Sequence, residues 1–234
     1  MDEKKRIERV YARYEADEGR NARYSVFRPE VLAERQALER AALELLARCG
    51  FASRMGEARL LDIGAGSGSW GLRVLGWGIA PEHLTINELY APRLARAREN
   101  LSARVRFVEG DGAQIGEEHD GAYDIVCMNT VLSSILDEEV RKRLCARVER
   151  LLAPGGVALI YDFMYDNPGN RSVRRVTRAQ LRSYFAGRTL LFRRLTLAPP
   201  LARRLASVPI GGRALLRLLN VPVLRTHLLA CVRK

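Results

Sequence analysis

Residues 60–70 read LLDIGAGSGSW, and this stretch decides the fold. A short apolar run contains Asp62 near its end, and a glycine-rich turn from Gly64 to Gly68 follows it, leading into a segment with helical spacing. Glycines permit a tight turn and let a ligand approach the backbone without a Cβ in the way. The stretch therefore predicts a strand, a ligand-binding turn and a helix, in that order.

Strand-like and helix-like segments alternate on the carboxyl side of this turn. After the first strand at residues 58–63, further strands are predicted at 83–88, 105–111, 123–129, 157–163, 189–198 and 226–234. Strands separated by helices imply a parallel sheet with crossover helices. We predict a helical extension over residues 1–50, ending at Gly50, and one α/β domain over 51–234. A long insertion at 198–225, broken by prolines and containing one short helix, separates strands six and seven.

Charge is distributed unevenly along the chain. The net charge is +12, and residues 167–234 contain 14 Arg, one Lys and no Asp or Glu, so they carry +15 and leave −3 for residues 1–166. Such asymmetry is typical of contact with nucleic acid, an anionic membrane or an acidic substrate, but also of a basic, solvated surface. The charged amino terminus predicts no signal peptide, and the dispersed cysteines predict buried thiols. We expect a cytoplasmic protein without a metal site.

Polar side chains recur where successive predicted strands end. Asn87 and Glu88 end the second strand, Asp111 ends the third, and Asn129 ends the fourth, directly before Thr130. Ligands bind at the carboxyl ends of strands in open α/β sheets. A carboxylate after the second strand accepts hydrogen bonds from both hydroxyls of a ribose, and one after the third accepts from an adenine amino group. These positions predict a nucleoside-containing cofactor.

The motifs from Leu60 to about Phe163 resemble those of class I S-adenosylmethionine-dependent methyltransferases. The matching segments are residues 61–68, Glu88, 110–113, 123–126 and 152–156. The resemblance implies a Rossmann-like, doubly wound sheet of seven strands with the last strand antiparallel. It also implies adenosylmethionine as the cofactor, whose sulfonium cation needs a nearby carboxylate such as Asp62. The predicted cofactor-binding residues are Tyr24, Asp62, Gly64, Ala65, Gly66, Ser67, Gly68, Asn87, Glu88, Leu89, Asp111, Gly112, Ala113, Asn129 and Thr130.

Two features of this set have competing interpretations. A nicotinamide dinucleotide is the alternative ligand, but the GAGSG turn lacks the third glycine spacing of a dinucleotide-binding loop. In similar methyltransferases the region around Tyr24 often folds over the cofactor as a lid. Aromatic residues there are also consistent with anchoring the following helix to the core.

The methyl acceptor is predicted to bind above the fourth and fifth strands. The candidate substrate residues are Ser133, Ser134, Tyr161, Phe163, Tyr165, Asp166 and Asn167. The alternative for the last two is a turn whose side chains cap their own backbone. Asp162 and His227 are the candidate general bases, because both are predicted at the carboxyl end of the sheet. A buried structural histidine remains the alternative for His227, and His83 and His119 are predicted at the opposite edge.

The predicted activity is methylation of a small molecule, with O-methylation of a hydroxylated natural product or sugar as the specific hypothesis. The basic carboxyl-terminal region leaves two alternatives open: an RNA methyltransferase, and a membrane-surface methyltransferase that acts on a lipid-linked acceptor. An appended RNA-binding module and the [DN]-P-P-[FYW] motif after strand four are both absent from the sequence, so nucleic acid is the less favoured partner. Peripheral membrane contact is compatible with the insertion, and a monomer or a homodimer is expected.

Overall fold

The structure, a computed structural model, describes residues 2–234, without the side chains of residues 20 and 21. Within these residues seven strands form one mixed sheet: β1 (Leu60–Ile63), β2 (Leu84–Glu88), β3 (Arg106–Glu109), β4 (Tyr123–Asn129), β5 (Leu152–Phe163), β6 (Thr189–Leu197) and β7 (Arg225–Arg233). The sheet order is β3-β2-β1-β4-β5-β7-β6. β1 to β5 run parallel, and β7 runs antiparallel to β5 and β6. The predicted seven-stranded sheet with an antiparallel last strand is confirmed.

Nine α-helices lie in the described chain: α1 (Glu3–Ala16), α2 (Glu18–Arg23), α3 (Pro29–Arg48), α4 (Ser69–Gly76), α5 (Ala91–Asn100), α6 (Glu138–Leu151), α7 (Arg178–Tyr184), α8 (Pro199–Ala206) and α9 (Gly212–Leu218). The predicted helix starts follow ordinary capping rules. Pro29 occupies the first turn of α3, and Thr177 forms a capping box with Gln180 at the start of α7.

Two apolar cores flank the sheet because its central strands are buried on both faces. One core joins α3, α4 and α5 to the sheet through residues such as Leu45, Val74 and Leu229. The other joins α6, α7 and α1 to the opposite face through residues such as Val148 and Ile7. We call these the α3 face and the α6 face. Helices of residues 1–50 therefore contribute to both cores.

The chain order reverses beside β1, whose two parallel neighbours are β2 and β4. Ile63, the last residue of β1, pairs with Asn87 on one side and with Met128 on the other. At such a switch point the connections leave on opposite faces, which opens a crevice at the carboxyl ends of the strands. The glycine-rich turn begins immediately after Ile63, at the mouth of this crevice.

The insertion at 198–225 differs from the prediction in its helix content. It contains both α8 and α9, whereas one short helix was expected. Pro199 and Pro200 begin α8 rather than breaking the segment, since proline is tolerated in the first turn of a helix. In spite of the insertion, β6 and β7 pair directly.

The described helices include none with both the length and the apolar character needed to cross a bilayer.

Candidate cofactor and acceptor site

A cavity lies at the switch point on the α6 face of the sheet. The residues lining it come from the strand tips, the loop after β4, α6 and α1, and include Ile63, Gly64, Asn87, Glu88, Leu89, Asp111, Gly112, Val131, Ser134, Ile135, Leu144, Ile7 and Tyr11. Six of the predicted cofactor residues and one predicted substrate residue, Ser134, are thus brought together. Ile7 and Tyr11 of α1 cover them.

The glycine-rich turn has no room for side chains at the point where it meets the cavity. Gly64 has a φ of +66°, and an added Cβ would lie 2.7 Å from Cγ2 of Val131. Gly68 has a φ of +79° and caps α4. Ala65 donates its backbone N–H to Asn87 O, and Ser67 O accepts from Asn100, so the turn is fastened to β2 and α5. Only glycine meets the steric demand at Gly64.

Glu88 is a buried carboxylate at the tip of β2 that lines the cavity. One carboxylate oxygen accepts the N–H of Gly66 at 2.8 Å, and the other accepts the N–H of Tyr90 at 2.9 Å. Each carboxylate oxygen has a second lone pair available for a ligand. Asn87 donates to Val108 O and Gly110 O, which ties β2 to the turn after β3.

The turn after β3 brings a second carboxylate to the cavity. Asp111 accepts the N–H of Ala113 at 2.9 Å and caps a 3-10 turn at 112–114. A Cβ on Gly112 would lie 2.7 Å from Cγ2 of Ile63 and 3.0 Å from Oδ1 of Asn87. At Gly112 the wall of the cavity is therefore formed by backbone that packs closely against the Ile63 and Asn87 side chains. A site for a flat ring requires such a wall.

Asp62 lies behind the glycine-rich turn and is not among the residues lining the cavity. It is 1% exposed, and neither carboxylate oxygen has a hydrogen-bond partner in the described chain. Burial, and secondarily the charge of Glu88, raises the pKa of Asp62 well above its usual range. A nearby cation would remove this penalty.

The tip of β4 contains a strained backbone. Thr130 has a φ of +57°, which is unusual for a β-branched residue. Its N–H donates to Tyr161 O at 2.7 Å, and its hydroxyl donates to Asn129 O at 2.7 Å. The Nδ2 of Asn129 is buried and has no hydrogen-bond partner within residues 2–234. Strain held by surrounding contacts is typical of functional sites.

Helix α1 is fastened over the cavity at both ends. Near its start Arg6 donates to the Ser134 carbonyl, and Tyr11 shares a hydrogen bond with the Ser134 hydroxyl at 3.1 Å. Near its end Glu15 accepts from Arg93 of α5 at 2.7 Å. The Arg93 guanidinium also lies 4.2 Å from the centre of the Tyr11 ring.

Tyr24 does not lie in this cover. Its side chain is 53% exposed, its carbonyl accepts from Arg35, and it does not line the cavity. Tyr24 is thus not among the residues that line the cavity, and its role at the cofactor stays a prediction. The cavity is covered by α1 instead. The sequence indicates this helix through the spacing of Ile7, Val10, Tyr11 and Tyr14, which gives α1 one apolar face.

The two candidate bases lie on opposite faces of the sheet. Asp162 is on the α6 face, where one oxygen accepts the N–H of Ser133 and the other accepts the N–H of Phe163, both at 3.0 Å. Burial raises its pKa to about 6, against the lowering effect of the Ser133 hydrogen bonds. Asp162 is 1% exposed and does not line the cavity, so this geometry gives it a positioning contact rather than access to an acceptor.

His227 packs on the α3 face inside a closed cluster. Its ring stacks on Tyr161 with centroids 5.1 Å apart and lies 4.4 Å from the Phe163 ring. Burial lowers the pKa of His227 to about 3. Tyr161 donates its hydroxyl proton to Glu34 at 3.0 Å and also contacts the Thr196 hydroxyl. The structural alternative for His227 therefore fits its surroundings.

Most of the remaining predicted substrate residues hydrogen-bond to other parts of the described chain or are exposed to solvent. Ser133 is buried and accepts the N–H of Arg174 through its carbonyl. Asp166 accepts the N–H of Arg175, Asn167 accepts the N–H of Gly169, and Tyr165 is 49% exposed. Asn167 thus caps a local turn, as in the alternative stated from the sequence, whereas Asp166 bonds the backbone of Arg175; a role of this segment in acceptor binding stays a prediction.

Sequence reasoning missed Arg141. Its side chain is fully buried and donates to three carbonyls, those of Ile135, Arg174 and Arg175. It joins the loop after β4 to the segment after β5, which frame the region beside the cavity. The signal was a charged residue in the apolar stripe of α6, in line with Leu144 and Val148.

Comparisons with known proteins identify similar sequences and similar folds. A family model described as a methyltransferase domain matches residues 60–156. A ubiquinone/menaquinone biosynthesis C-methyltransferase of Methylobacterium nodulans is 32% identical over 122 residues, which cover 50% of this chain and 47% of that protein. The chain thus matches about half the length of that curated relative.

Solved structures share the fold at low sequence identity. An S-adenosylmethionine-dependent methyltransferase of Mesorhizobium loti has a TM-score of 0.56 at 18% identity, covering 76% of this chain and 91% of that one. The 1,6-didemethyltoxoflavin-N1-methyltransferase of Burkholderia thailandensis, with bound S-adenosylhomocysteine, has a TM-score of 0.54 at 21% identity, covering 78% and 76%. Residues 60–156 therefore match a methyltransferase domain, and the chain shares its fold with solved S-adenosylmethionine-dependent methyltransferases.

Proposed function

We propose that this protein transfers the methyl group of S-adenosylmethionine to a small-molecule acceptor. One observation carries the proposal: a cavity at the switch point is lined by the carboxylates of Glu88 and Asp111 and walled by Gly64 and Gly112, where no Cβ fits. Such a site suits a flat base, a ribose and a charged amino-acid tail.

The residues present fit this cofactor. Glu88 and Asp111 line the cavity and retain free lone pairs. Asp62 is a buried carboxylate behind the turn that has no hydrogen-bond partner in the described part of the chain. A cation in the crevice would stabilise the ionised form of these groups. When bound, adenosylmethionine supplies a methyl group already activated on a sulfonium. The work left to the protein is to orient the acceptor and exclude water.

The acceptor is proposed to be a hydroxylated molecule whose nucleophile is already acidic, such as a phenol. Asp162 has both oxygens engaged by backbone N–H groups, and His227 is enclosed by aromatic rings. With neither candidate base lining the cavity, an acceptor that ionises easily is favoured, because it needs little help in losing its proton.

C-methylation is the second candidate. The relative that is 32% identical over 122 residues is named a C-methyltransferase. An electron-rich ring carbon beside a phenolate is also a nucleophile, so one acceptor class supports both outcomes. Product analysis distinguishes them. Incubation with methyl-labelled adenosylmethionine and a panel of phenols, quinols and sugars gives a labelled product whose NMR shift separates O–CH3 from C–CH3.

Calorimetric titration with adenosylmethionine tests the cofactor assignment. We expect the unmodified protein to bind and Gly112→Ala to bind at least tenfold more weakly, because the new methyl group would meet Ile63 and Asn87. Gly76→Ala is the matched control, since a Cβ there meets nothing within 4 Å. Absence of binding by the unmodified protein would overturn the proposal.

A further inference from the structure

The four most exposed large apolar side chains of residues 2–234 lie on two segments. Phe27 is 94% exposed, and Ile210, Val223 and Leu218 are 92%, 76% and 71% exposed. Phe27 precedes α3, and the other three belong to the insertion at 198–225. Single exposed apolar residues are ordinary, but a concentration of them marks a binding surface.

Both segments lie at the carboxyl end of the parallel strands. The insertion leads into β7, where His227 pairs with Phe163, the last residue of β5. Near the start of α3, Glu34 accepts a hydrogen bond from Tyr161 at the same end of β5. Helix α3 also packs against α8. The exposed apolar side chains are therefore at the end of the sheet that holds the cavity.

Helix α9 presents different chemistry on its different sides. Gly212 and Leu216, four residues apart, are buried against the rest of the insertion. Arg213 and Arg217 form an exposed stripe next to them, and Ala214 and Leu218 form a second exposed stripe. Residues four apart share a face of a helix. An apolar stripe beside an arginine stripe is the pattern of a helix that lies in a membrane interface.

The charge of the insertion has one sign. Residues 198–225 contain five arginines and no Asp or Glu. Arg203, Arg204, Arg213 and Arg217 are exposed, and within residues 2–234 none of their side chains forms an ion pair. Unpaired guanidinium groups are complementary to phosphate groups, which they bind with several donors at once.

We propose that Phe27 and the insertion at 198–225, here called the docking surface, bind the surface of an anionic lipid bilayer. The aliphatic side chains enter the boundary between headgroups and acyl chains, and the arginines bind lipid phosphates. The combination accounts for both unusual features of the segment, the exposed apolar side chains and the unpaired charge.

An RNA partner fits the same charge less well. Residues 198–225 contain no Phe, Tyr or Trp, so Phe27 is the single aromatic residue of the docking surface. Proteins that bind single-stranded RNA stack bases on aromatic side chains, and helical RNA is read through phosphate and ribose contacts. Either mode leaves Ile210, Leu218 and Val223 in water without a use.

Docking has a consequence for the acceptor, and this step rests on the proposed function. The docking surface and the cavity lie at one end of the molecule, so a bound protein has its cavity near the bilayer. An acceptor with a lipid-soluble portion would then reach the cavity from the membrane. Acceptor classes with an apolar tail are expected to be methylated faster in the presence of anionic vesicles.

Vesicle flotation tests the docking surface. The full chain is floated with vesicles of phosphatidylcholine and phosphatidylglycerol in equal proportion, and with vesicles of phosphatidylcholine alone. We expect association with the anionic vesicles that falls as salt rises. The paired change Arg213→Gln and Arg217→Gln is expected to weaken partitioning about 25-fold, from about fivefold per arginine. Ile210→Ser with Leu218→Ser is expected to weaken it at least tenfold.

The matched control changes equivalent residues elsewhere. Leu72 is 49% exposed on α4, which packs against α5 and β2, and Arg143 is exposed on α6. Leu72→Ser with Arg143→Gln is expected to float like the unmodified protein. If this control loses binding equally, or if anionic vesicles fail to float the unmodified protein, the proposal is overturned.

Two further measurements separate the outcomes. Calorimetry with adenosylmethionine, without lipid, is expected to give the same affinity for all variants; a protein that binds cofactor but not vesicles overturns only the docking surface. Fluorescence anisotropy with a labelled single-stranded RNA identifies the other partner. Tight RNA binding together with no flotation would overturn the proposal and identify RNA as the partner of the docking surface.

Discussion

The two faces of the sheet carry buried polar groups at the same carboxyl end, and the cavity described above opens on the α6 face. On the α6 face, Asn87, Ser134 and Tyr11 line a space covered by α1. On the α3 face, Glu34, Tyr161 and Thr196 bond to each other, and His227 stacks on the tyrosine. Polar groups that satisfy one another stabilise a fold, whereas groups with spare bonding capacity bind ligands.

The difference shows that reaching the end of a strand does not define a site residue. Tyr161 and Asp162 are neighbours in sequence and face opposite sides of β5, because side chains alternate along a strand. Tyr161 joins the closed cluster, and Asp162 turns toward the loop after β4. A polar side chain can therefore bind a ligand only if it lies at the carboxyl end of the sheet and also points into a cavity.

The largest expected effect compares a buried carboxylate that lines the cavity, Glu88, with the carboxyl group of Glu34 in the closed cluster. Glu88→Ala removes the acceptor for the N–H groups of Gly66 and Tyr90 and the proposed acceptor for the ribose hydroxyls. We expect cofactor affinity to fall at least about 100-fold, since unpaired buried donors remain. Glu34→Gln keeps an oxygen for the Tyr161 hydroxyl and is expected to leave affinity unchanged.

Calorimetry and thermal unfolding on both variants decide this comparison. Normal cofactor binding by Glu88→Ala would remove the assignment of the cavity to the cofactor. A large loss of affinity in Glu34→Gln would show that the two faces do not act independently.

His227→Phe sharpens the comparison through the pH dependence of stability. Burial lowers the pKa of His227 from 6.5 to about 3, so between these values the unfolded chain binds more protons than the folded one. The stability from a neutral His227 is therefore present above pH 6.5 and is lost as pH falls toward 3. Phenylalanine keeps the ring contacts without titrating. From pH 7 to pH 5 the original protein is expected to lose about 2 kcal/mol relative to the variant.

Denaturant unfolding at the two pH values measures this difference. Asp162, whose pKa burial raises to about 6, contributes in the opposite direction between about pH 6 and 4, but it is present in both proteins and cancels. His83→Gln is the control, because His83 lies outside the cluster and contacts Gly56 O. A variant that follows the original protein at both pH values would mean that His227 is not held neutral in the α3 face.

The order of strands and helices was predictable from the sequence because apolar periodicity and glycine stops are local. The strand-tip residues Glu88 and Asp111 were predictable for the same reason, since each follows its own strand. The cover formed by Ile7 and Tyr11 was not, because it depends on where α1 packs after the sheet has formed. Arg141 was missed because burial of an arginine depends on three carbonyls distant in sequence.

Tyr11→Ala tests the cover over the cavity on the α6 face. The change removes the ring that lines the cavity and the hydrogen bond to the Ser134 hydroxyl. We expect cofactor affinity to fall about tenfold, mainly through faster release, as about 1.4 kcal/mol of packing is lost. Stopped-flow release of adenosylhomocysteine measures this rate. Tyr24→Ala is the matched aromatic control, and an equal effect there would restore Tyr24 as a cover residue.

The smallest expected effect is at Thr130, where the two faces are joined. Its N–H donates to the Tyr161 carbonyl, so the closed cluster holds a strained residue beside the cavity. Thr130→Gly keeps that hydrogen bond, relieves the positive φ of +57° and loses the bond from the hydroxyl to Asn129 O. We expect a gain of about 1 kcal/mol in stability, or about 2–4 °C in Tm, with slower turnover because the tip of β4 is less firmly placed. Thermal unfolding and kcat measured together test this, and a variant that is both less stable and equally active would mean that the strain has no role at the site.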